Sequence, residues 1–166
     1  MAEWLAGRAT DLRQPGVSVR RRSAVVTLPP LHPRQLEVAR HPARFHVLAA
    51  GRRFGKTILG VTLCLRTGLE GGRTWWVSRS YKTAAEGWRE LKGLAAQIPG
   101  ADPREGDKIL VLPGGGTVEV RSAEEPGSLR GAGLDGLVFD EAAHSREEAW
   151  THELRPALSD RKGWAL

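Results

Sequence analysis

The sequence predicts an α/β domain with a mostly parallel central β-sheet flanked by helices. Three observations carry that expectation. Short apolar runs of strand length alternate with helical stretches of about 10–16 residues. An apolar run at 45–50 ends in a glycine-containing turn that opens a helix, and a second run, Leu137-Val138-Phe139, ends in a pair of acids. The chain has 166 residues, room for one domain with a tail and not for a two-domain enzyme.

Residues 1–22 carry Pro, Gly and scattered charge with no sustained period, and they end in Arg20-Arg21-Arg22. They read as a basic, disordered tail ahead of a domain over 23–166. Trp4-Leu5-Ala6 is too short for the apolar core of about 7–15 residues that a secretory signal needs. Ala24 to Leu28 is strand-like and stops at Pro29-Pro30. His32 to Arg40 reads as a short helix with Pro33 in its first turn. Phe45 to Ala50 has the length of a buried strand, and Lys56 to Leu69 follows as a helix closed by Gly71-Gly72. Thr74 to Ser78 is a strand, and Thr83 to Ile98 a helix stopped by Pro99. Ile109–Leu112 and Thr117–Arg121 flank Pro113-Gly114-Gly115-Gly116, the pattern of a hairpin. Leu137 to Phe139 is a further buried strand, Arg146 to Leu154 a helix, and Gly163 to Leu166 the start of another strand. Trp75, Trp76, Trp88 and Trp150 fall in these ordered stretches and read as packing residues.

Composition narrows the function classes. With 40% hydrophobic and 27% charged residues, wholesale disorder and collagen-like or coiled-coil chains are excluded. No apolar run approaches the roughly 18 residues of a membrane span. One cysteine excludes an internal disulfide framework and a multi-cysteine zinc site and fits a reducing compartment. Cys64 reads as a small buried hydrophobe. The net charge of +6 is uneven: residues 1–60 hold 11 basic and 3 acidic residues, residues 61–166 hold 14 and 16. A basic front half points to a polyanionic partner such as nucleic acid or nucleotide phosphates. The five histidines show no metal-ligand spacing, and His41, His46, His144 and His152 read as packing or surface residues. Asp135, Asp160, Glu124-Glu125 and Glu147-Glu148 read as solvated.

The chemistry concentrates in Ala50-Gly51-Arg52-Arg53-Phe54-Gly55-Lys56-Thr57, which matches the P-loop pattern G-x-x-x-x-G-K-[ST] except that Ala50 takes the first glycine position. Backbone N–H groups released from strand pairing by such a turn wrap phosphates at a helix N-terminus whose partial positive charge favours anions. Lys56 then reaches the β- and γ-phosphates of ATP, and the Thr57 hydroxyl ligates Mg²⁺. The departure at Ala50 matters little provided that residue does not need a positive φ. Asp140 and Glu141 stand where the crevice of an open α/β sheet lies. Asp140 is the expected Mg²⁺ ligand and Glu141 the base that polarises the attacking water.

Arginines are the third feature. Arg52 and Arg53 lie inside the loop, where guanidinium forks pair with phosphate oxygens or fix the loop through carboxylates. Arg130, in Ser128-Leu129-Arg130-Gly131-Ala132-Gly133, is a candidate arginine finger, in cis or from a neighbouring subunit. Gln35 precedes the loop by about 20 residues, and an amide that donates and accepts at once suits the adenine edge.

In order, His32-Pro33-Arg34-Gln35, Gly51 to Thr57, Ser128 to Asp135, Asp140-Glu141-Ala142-Ala143 and Leu158 to Leu166 resemble the N-terminal ATPase domain of the large terminase subunit of tailed bacteriophages. The resemblance covers about residues 30–166. It implies a P-loop NTPase fold that hydrolyses ATP with Mg²⁺ to package DNA. It also implies that Gln35 contacts adenine, that Arg52 assists in the loop and that Arg130 acts in trans within a ring of subunits. The implied partners are double-stranded DNA, a portal protein and a small terminase subunit at the procapsid, in the cytoplasm of a bacterial host, with no membrane involved. In the family a Thr/Ser-rich coupling segment follows the strand that begins near Trp164, and an RNase H-like nuclease domain comes after it. Neither is in the sequence, so the domain is expected to be incomplete at its C-terminus, with an exposed sheet edge that favours self-association, and no nuclease activity is expected of it. Two other readings are a helicase-like nucleic-acid-dependent ATPase and an inactive prophage fragment that binds nucleotide or DNA without turnover.

Overall fold

The computed structural model describes residues 17–21, 24–124, 129 and 133–166. Along the chain, β1 (Val17–Arg21) and β2 (Ala24–Leu28) form an antiparallel pair. Helices α1 (Pro33–Arg40) and α2 (Lys56–Leu69) follow, then β3 (Arg73–Ser78) and α3 (Tyr81–Ala95). Next come β4 (Asp102–Arg104), β5 (Ile109–Val111), β6 (Thr117–Ser122) and β7 (Gly136–Phe139). A 3₁₀ turn at Ala142–His144 leads to a π-helical stretch, Ala149–Leu154, a helical turn, α4 (Arg155–Ala157), and β8 (Trp164–Ala165).

The main sheet has the order β4-β5-β6-β3-β7-β8. Strands β6, β3, β7 and β8 run parallel, whereas β4 and β5 fold back as an antiparallel flank. Helical crossovers cover the parallel part on both faces, so β3 and β7 carry consecutive apolar residues, Trp75-Trp76-Val77 and Leu137-Val138-Phe139, whereas β6 alternates Val118 and Val120 with Glu119 and Arg121. Trp76, Val118, Val120 and Val138 face α2 and α3, together with Leu65 and Leu91. Trp75, Val77 and Leu137 face the other layer, made by Leu129, Leu134, Leu154 and Leu158. Trp76 fits between the two helices because each presents a glycine. A Cβ at Gly60 would stand 2.9 Å from its ring, and one at Gly87 2.4 Å.

Most expected elements are present within about three residues; the differences lie in the tail, the ends of α3, β4, the 45–50 arm and the π-helical stretch. The 1–22 stretch read as a tail contains β1; residues 1–16 and 22 lie outside the described residues. Helix α3 starts at Tyr81 instead of Thr83, because Ser80 caps it and the Thr83 side chain bonds back to the Ser80 N–H at 3.0 Å, a reciprocal box that fixes the start. Strand β4 was not anticipated; it contains Pro103, which an edge strand tolerates. The expected buried strand at 45–50 is reduced to one bridge between Phe45 and Ala165. His46 N–H donates to Ala165 O and Ala165 N–H to Arg44 O, both at 2.9 Å. Beyond that bridge Val47 is 99% exposed. Cys64 is buried as expected, and Asp135, read as solvated, instead accepts from Arg73 N–H at 2.8 Å and Arg161 Nη1 at 3.0 Å.

Candidate nucleotide site

The turn before α2 is shaped by two residues of positive φ, Arg53 at 66° and Gly55 at 79°; Ala50 is not among the positive-φ residues. Alanine in place of the first glycine of the motif therefore brings no left-handed strain. Gly55 is required twice over, by its φ and because a Cβ there would stand 2.6 Å from Gln35 Nε2. Gly55 is also the N-cap of α2 and offers no side-chain cap. Helices α1 and α3 both begin with reciprocal capping boxes. Unlike α1 and α3, α2 keeps the orphan N–H groups of its first turn for an outside acceptor, at the end where the helix dipole favours an anion. Lys56 folds back over this turn, its Nζ donating to Ala50 O at 2.9 Å and Gly51 O at 3.4 Å. Phosphate oxygens, being charged, are stronger acceptors than those carbonyls. Arg52 and Arg53 are exposed beside it.

Helix α1 grips the loop from outside. Gln35, 4% exposed, donates from Nε2 to Phe54 O at 3.1 Å and Gly55 O at 3.0 Å. Its Oε1 accepts from His32 N–H at 3.0 Å. Both amide protons are thus engaged, and the two-sided contact with adenine expected of Gln35 is reduced in this conformation to one remaining lone pair on Oε1. His32 also reaches the loop, with Nε2 3.1 Å from Phe54 O. Sequence reasoning gave His32 no role; the readable signal was a histidine directly before Pro33 at the first helical position with Gln35 at the third, a capping arrangement.

The acidic half comes from the end of β7. Asp140 N–H bonds to Val77 O at 2.8 Å, which extends the register of β7 on β3. Side chains alternate along a strand, so Asp140 shares the face of Val138, toward α2. Burial pushes the Asp140 carboxyl up, and the charges of Glu141 and Glu86 push it the same way, with Lys56 acting against them. The charge of Lys56 is felt at Asp140, and the loop and the acids both follow the C-terminal ends of parallel segments, the arm at Phe45 and β7, that flank β8. Glu141 is exposed and holds φ 53°, an unfavourable backbone for a residue with a Cβ, which costs about 1–2 kcal/mol. Such strain concentrates at functional sites.

The donor set suits a hard cation. Thr57 hydroxyl and Asp140 carboxylate are oxygen ligands of the kind Mg²⁺ takes, and the carboxylates crowded at Asp140 favour added positive charge. Among the described residues no group of three or more His, Cys, Asp or Glu could hold a metal, so the fit is to an ion completed by phosphates and water, as Mg²⁺ prefers. Of the other expected site residues, Gly51 and Phe54 lie in the loop with Arg52 and Arg53, and Arg130 lies outside the described residues. Among those described, Ser78 Oγ, 1% exposed at the end of β3, has no partner.

Comparison with known proteins agrees with this geometry. Residues 47–166 match the family described as terminase large subunit, T4likevirus-type, N-terminal. The terminase large subunit of Escherichia phage T5 is 33% identical over 136 residues, 79% of this chain and 31% of that protein. That of Thermus virus P23-45 is 30% identical over 160 residues, 81% of this chain and 32% of the relative. The chain thus spans about a third of the length of these curated relatives. Among solved structures, the ATPase domain of the Thermus phage P74-26 large terminase superposes with a TM-score of 0.69 at 29% identity, covering 81% of this chain and 62% of that one. The HK97 bacteriophage large terminase shares the fold, with a TM-score of 0.69 at 20% identity over 83% of this chain and 33% of that one. With a P-loop at the uncapped start of α2, an acidic pair at the end of the neighbouring strand and a family match over most of its length, the chain belongs to the terminase large subunit family, in its N-terminal part.

Proposed function

We propose that this chain is the ATP-binding and ATP-hydrolysing motor part of a DNA-packaging terminase large subunit. The observation that carries the reading is the uncapped N-terminus of α2, with Lys56 on one side and the Asp140–Glu141 pair facing it. In this reading the N–H groups of the loop and of the first turn of α2 wrap the phosphates of ATP. Lys56 leaves Ala50 O and Gly51 O for the β- and γ-phosphate oxygens. Thr57 and Asp140 hold Mg²⁺, which when bound neutralises charge on those oxygens. Glu141, exposed at the end of β7, orients and deprotonates the water that attacks the γ-phosphate. Arg52 and Arg53 add cationic forks at the mouth of the loop, and Arg130, from a neighbouring subunit, stabilises the charge that develops in transfer. Gln35 contributes its free Oε1 lone pair to the adenine amino group.

Family membership supports the wider setting: double-stranded DNA as the moved substrate, a portal protein and a small terminase subunit as partners, a ring of subunits at the procapsid, and the host cytoplasm as the compartment. No described helix is long and apolar enough to cross a membrane.

Steady-state phosphate release from ATP and Mg²⁺ tests the activity. Wild type turns over, and Lys56→Ala loses turnover by about 10²-fold or more, the scale of removing a preorganised charge from the transferring group. A wild-type chain that binds ATP without releasing phosphate sinks the enzymatic reading. Mixing Arg130→Ala with Glu141→Ala subunits tests the finger: partial recovery of turnover in the mixture is expected, and its absence in assembled rings contradicts a role in trans.

A further inference from the structure

We infer that His32 is a positioning residue for the phosphate-binding loop, holding the Phe54 carbonyl toward α1 so that the following amide, Gly55 N–H, faces the opposite side of the loop. The inference rests on the nucleotide-binding reading above and extends it to a side chain outside the motif. A carbonyl only accepts, so His32 Nε2, 3.1 Å from Phe54 O, carries the proton. Nδ1 then has a free lone pair and accepts from Gln35 N–H at 3.4 Å. One neutral tautomer, assigned from its partners, serves the helix cap and the loop together. The His32 and Phe54 rings also meet edge to face, with centroids 5.1 Å apart.

The consequence follows from peptide geometry. In a planar trans peptide the C=O and the next N–H point in opposite directions. Donors from α1 on Phe54 O and Gly55 O therefore set the directions of the Gly55 and Lys56 N–H groups, and an anion cradle depends on those directions. The restraint acts where it is needed, on a turn with positive φ at Arg53 and Gly55, and α2 supplies no side-chain cap of its own.

The test compares wild type, His32→Asn and His32→Ala in the full chain by thermal melting and by calorimetric titration with ATP and with inorganic tripolyphosphate. Asparagine is a good N-cap and keeps the start of α1, but its short amide, engaged at the cap, no longer donates to Phe54 O. The expected result for His32→Asn is a Tm within about 2 °C of wild type. Affinity for both ligands should fall about fivefold, the equivalent of one ordinary hydrogen bond. His32→Ala should show the same loss of affinity with a lower Tm. An equal loss for tripolyphosphate locates the effect at the phosphates, which a general loosening of the fold would not do at unchanged Tm. Wild-type affinity in His32→Asn, a loss confined to ATP, or a loss that appears only with a falling Tm overturns the inference alone. A wild-type chain that binds neither ligand overturns it together with the nucleotide-binding reading.

Discussion

At Glu119 three donors converge on a carboxylate that is 3% exposed: Arg73 Nε at 2.7 Å, Arg121 Nη2 at 2.5 Å and Trp75 Nε1 at 3.2 Å. Burial by itself would raise this carboxyl, but the two guanidiniums together hold it below the usual carboxylate range. A lowered folded value means that the stabilisation is present above the unfolded carboxylate pKa of about 4.3 and is lost as pH falls through the folded value. Glu119→Gln should therefore cost about 1.5–3 kcal/mol at neutral pH, and denaturant titrations at falling pH should show the gap to wild type closing. A gap that stays constant into acid would show that the charge contributes nothing. Cys64 is the neutral counterpart. Its burial pushes the thiol up to about 12, so alkylation by iodoacetamide should be negligible in the native chain and fast after denaturation. Cys64 was legible as a buried residue, whereas Glu119 was concealed: it sits in an alternating strand pattern as if solvated, and only the register Trp75↔Glu119 between β3 and β6 brings its partners to it.

At the scale of elements, α3 offers a paired test of close packing. Alanine is ordinarily about 1 kcal/mol better than glycine inside a helix. At Gly93 a Cβ meets nothing within 4 Å, whereas at Gly87 it would lie 2.4 Å from Trp76. Gly93→Ala should accordingly stabilise by about 0.5–1 kcal/mol, and Gly87→Ala should destabilise by about 1–3 kcal/mol through overpacking, both read from denaturant midpoints. The same sign for both would mean that Trp76 is free to move aside. Helices were the most legible elements because their signals are local: Lys56–Leu69 coincides with the expected span, since glycines stand at both of its ends. The arm at 45–50 was misjudged because a strand exists only with a neighbour. Its apolar run says that it can be buried, and only the pairing of Phe45 with Ala165 says where it meets the sheet. The helix expected over 146–154 is π-helical over Ala149–Leu154 and continues to Ala157; the π form is set by hydrogen-bond register and not by composition.

Across the molecule, β7 runs parallel to β8 and β8 to the arm at Phe45, so the acidic end of β7 and the turn before α2 leave the sheet at the same edge. The P-loop and the Asp140–Glu141 pair were legible because each is a short motif with its own chemistry. That they face one another depends on the strand order, and the electrostatic coupling of Lys56 to Asp140 expresses it. The grip of α1 on the loop was not legible, because Gln35 and His32 are unremarkable until the fold brings them to Phe54 and Gly55. In the proposed function, binding and hydrolysis divide between these two halves, the α2 N-terminus holding the nucleotide and Glu141 acting on water. The most direct measurement is ATP affinity and phosphate release in one Glu141→Gln variant, with Mg²⁺ present. Affinity should stay close to wild type while turnover falls by about 10²–10⁴-fold; turnover near the wild-type rate, or loss of binding together with turnover, would contradict that division of roles.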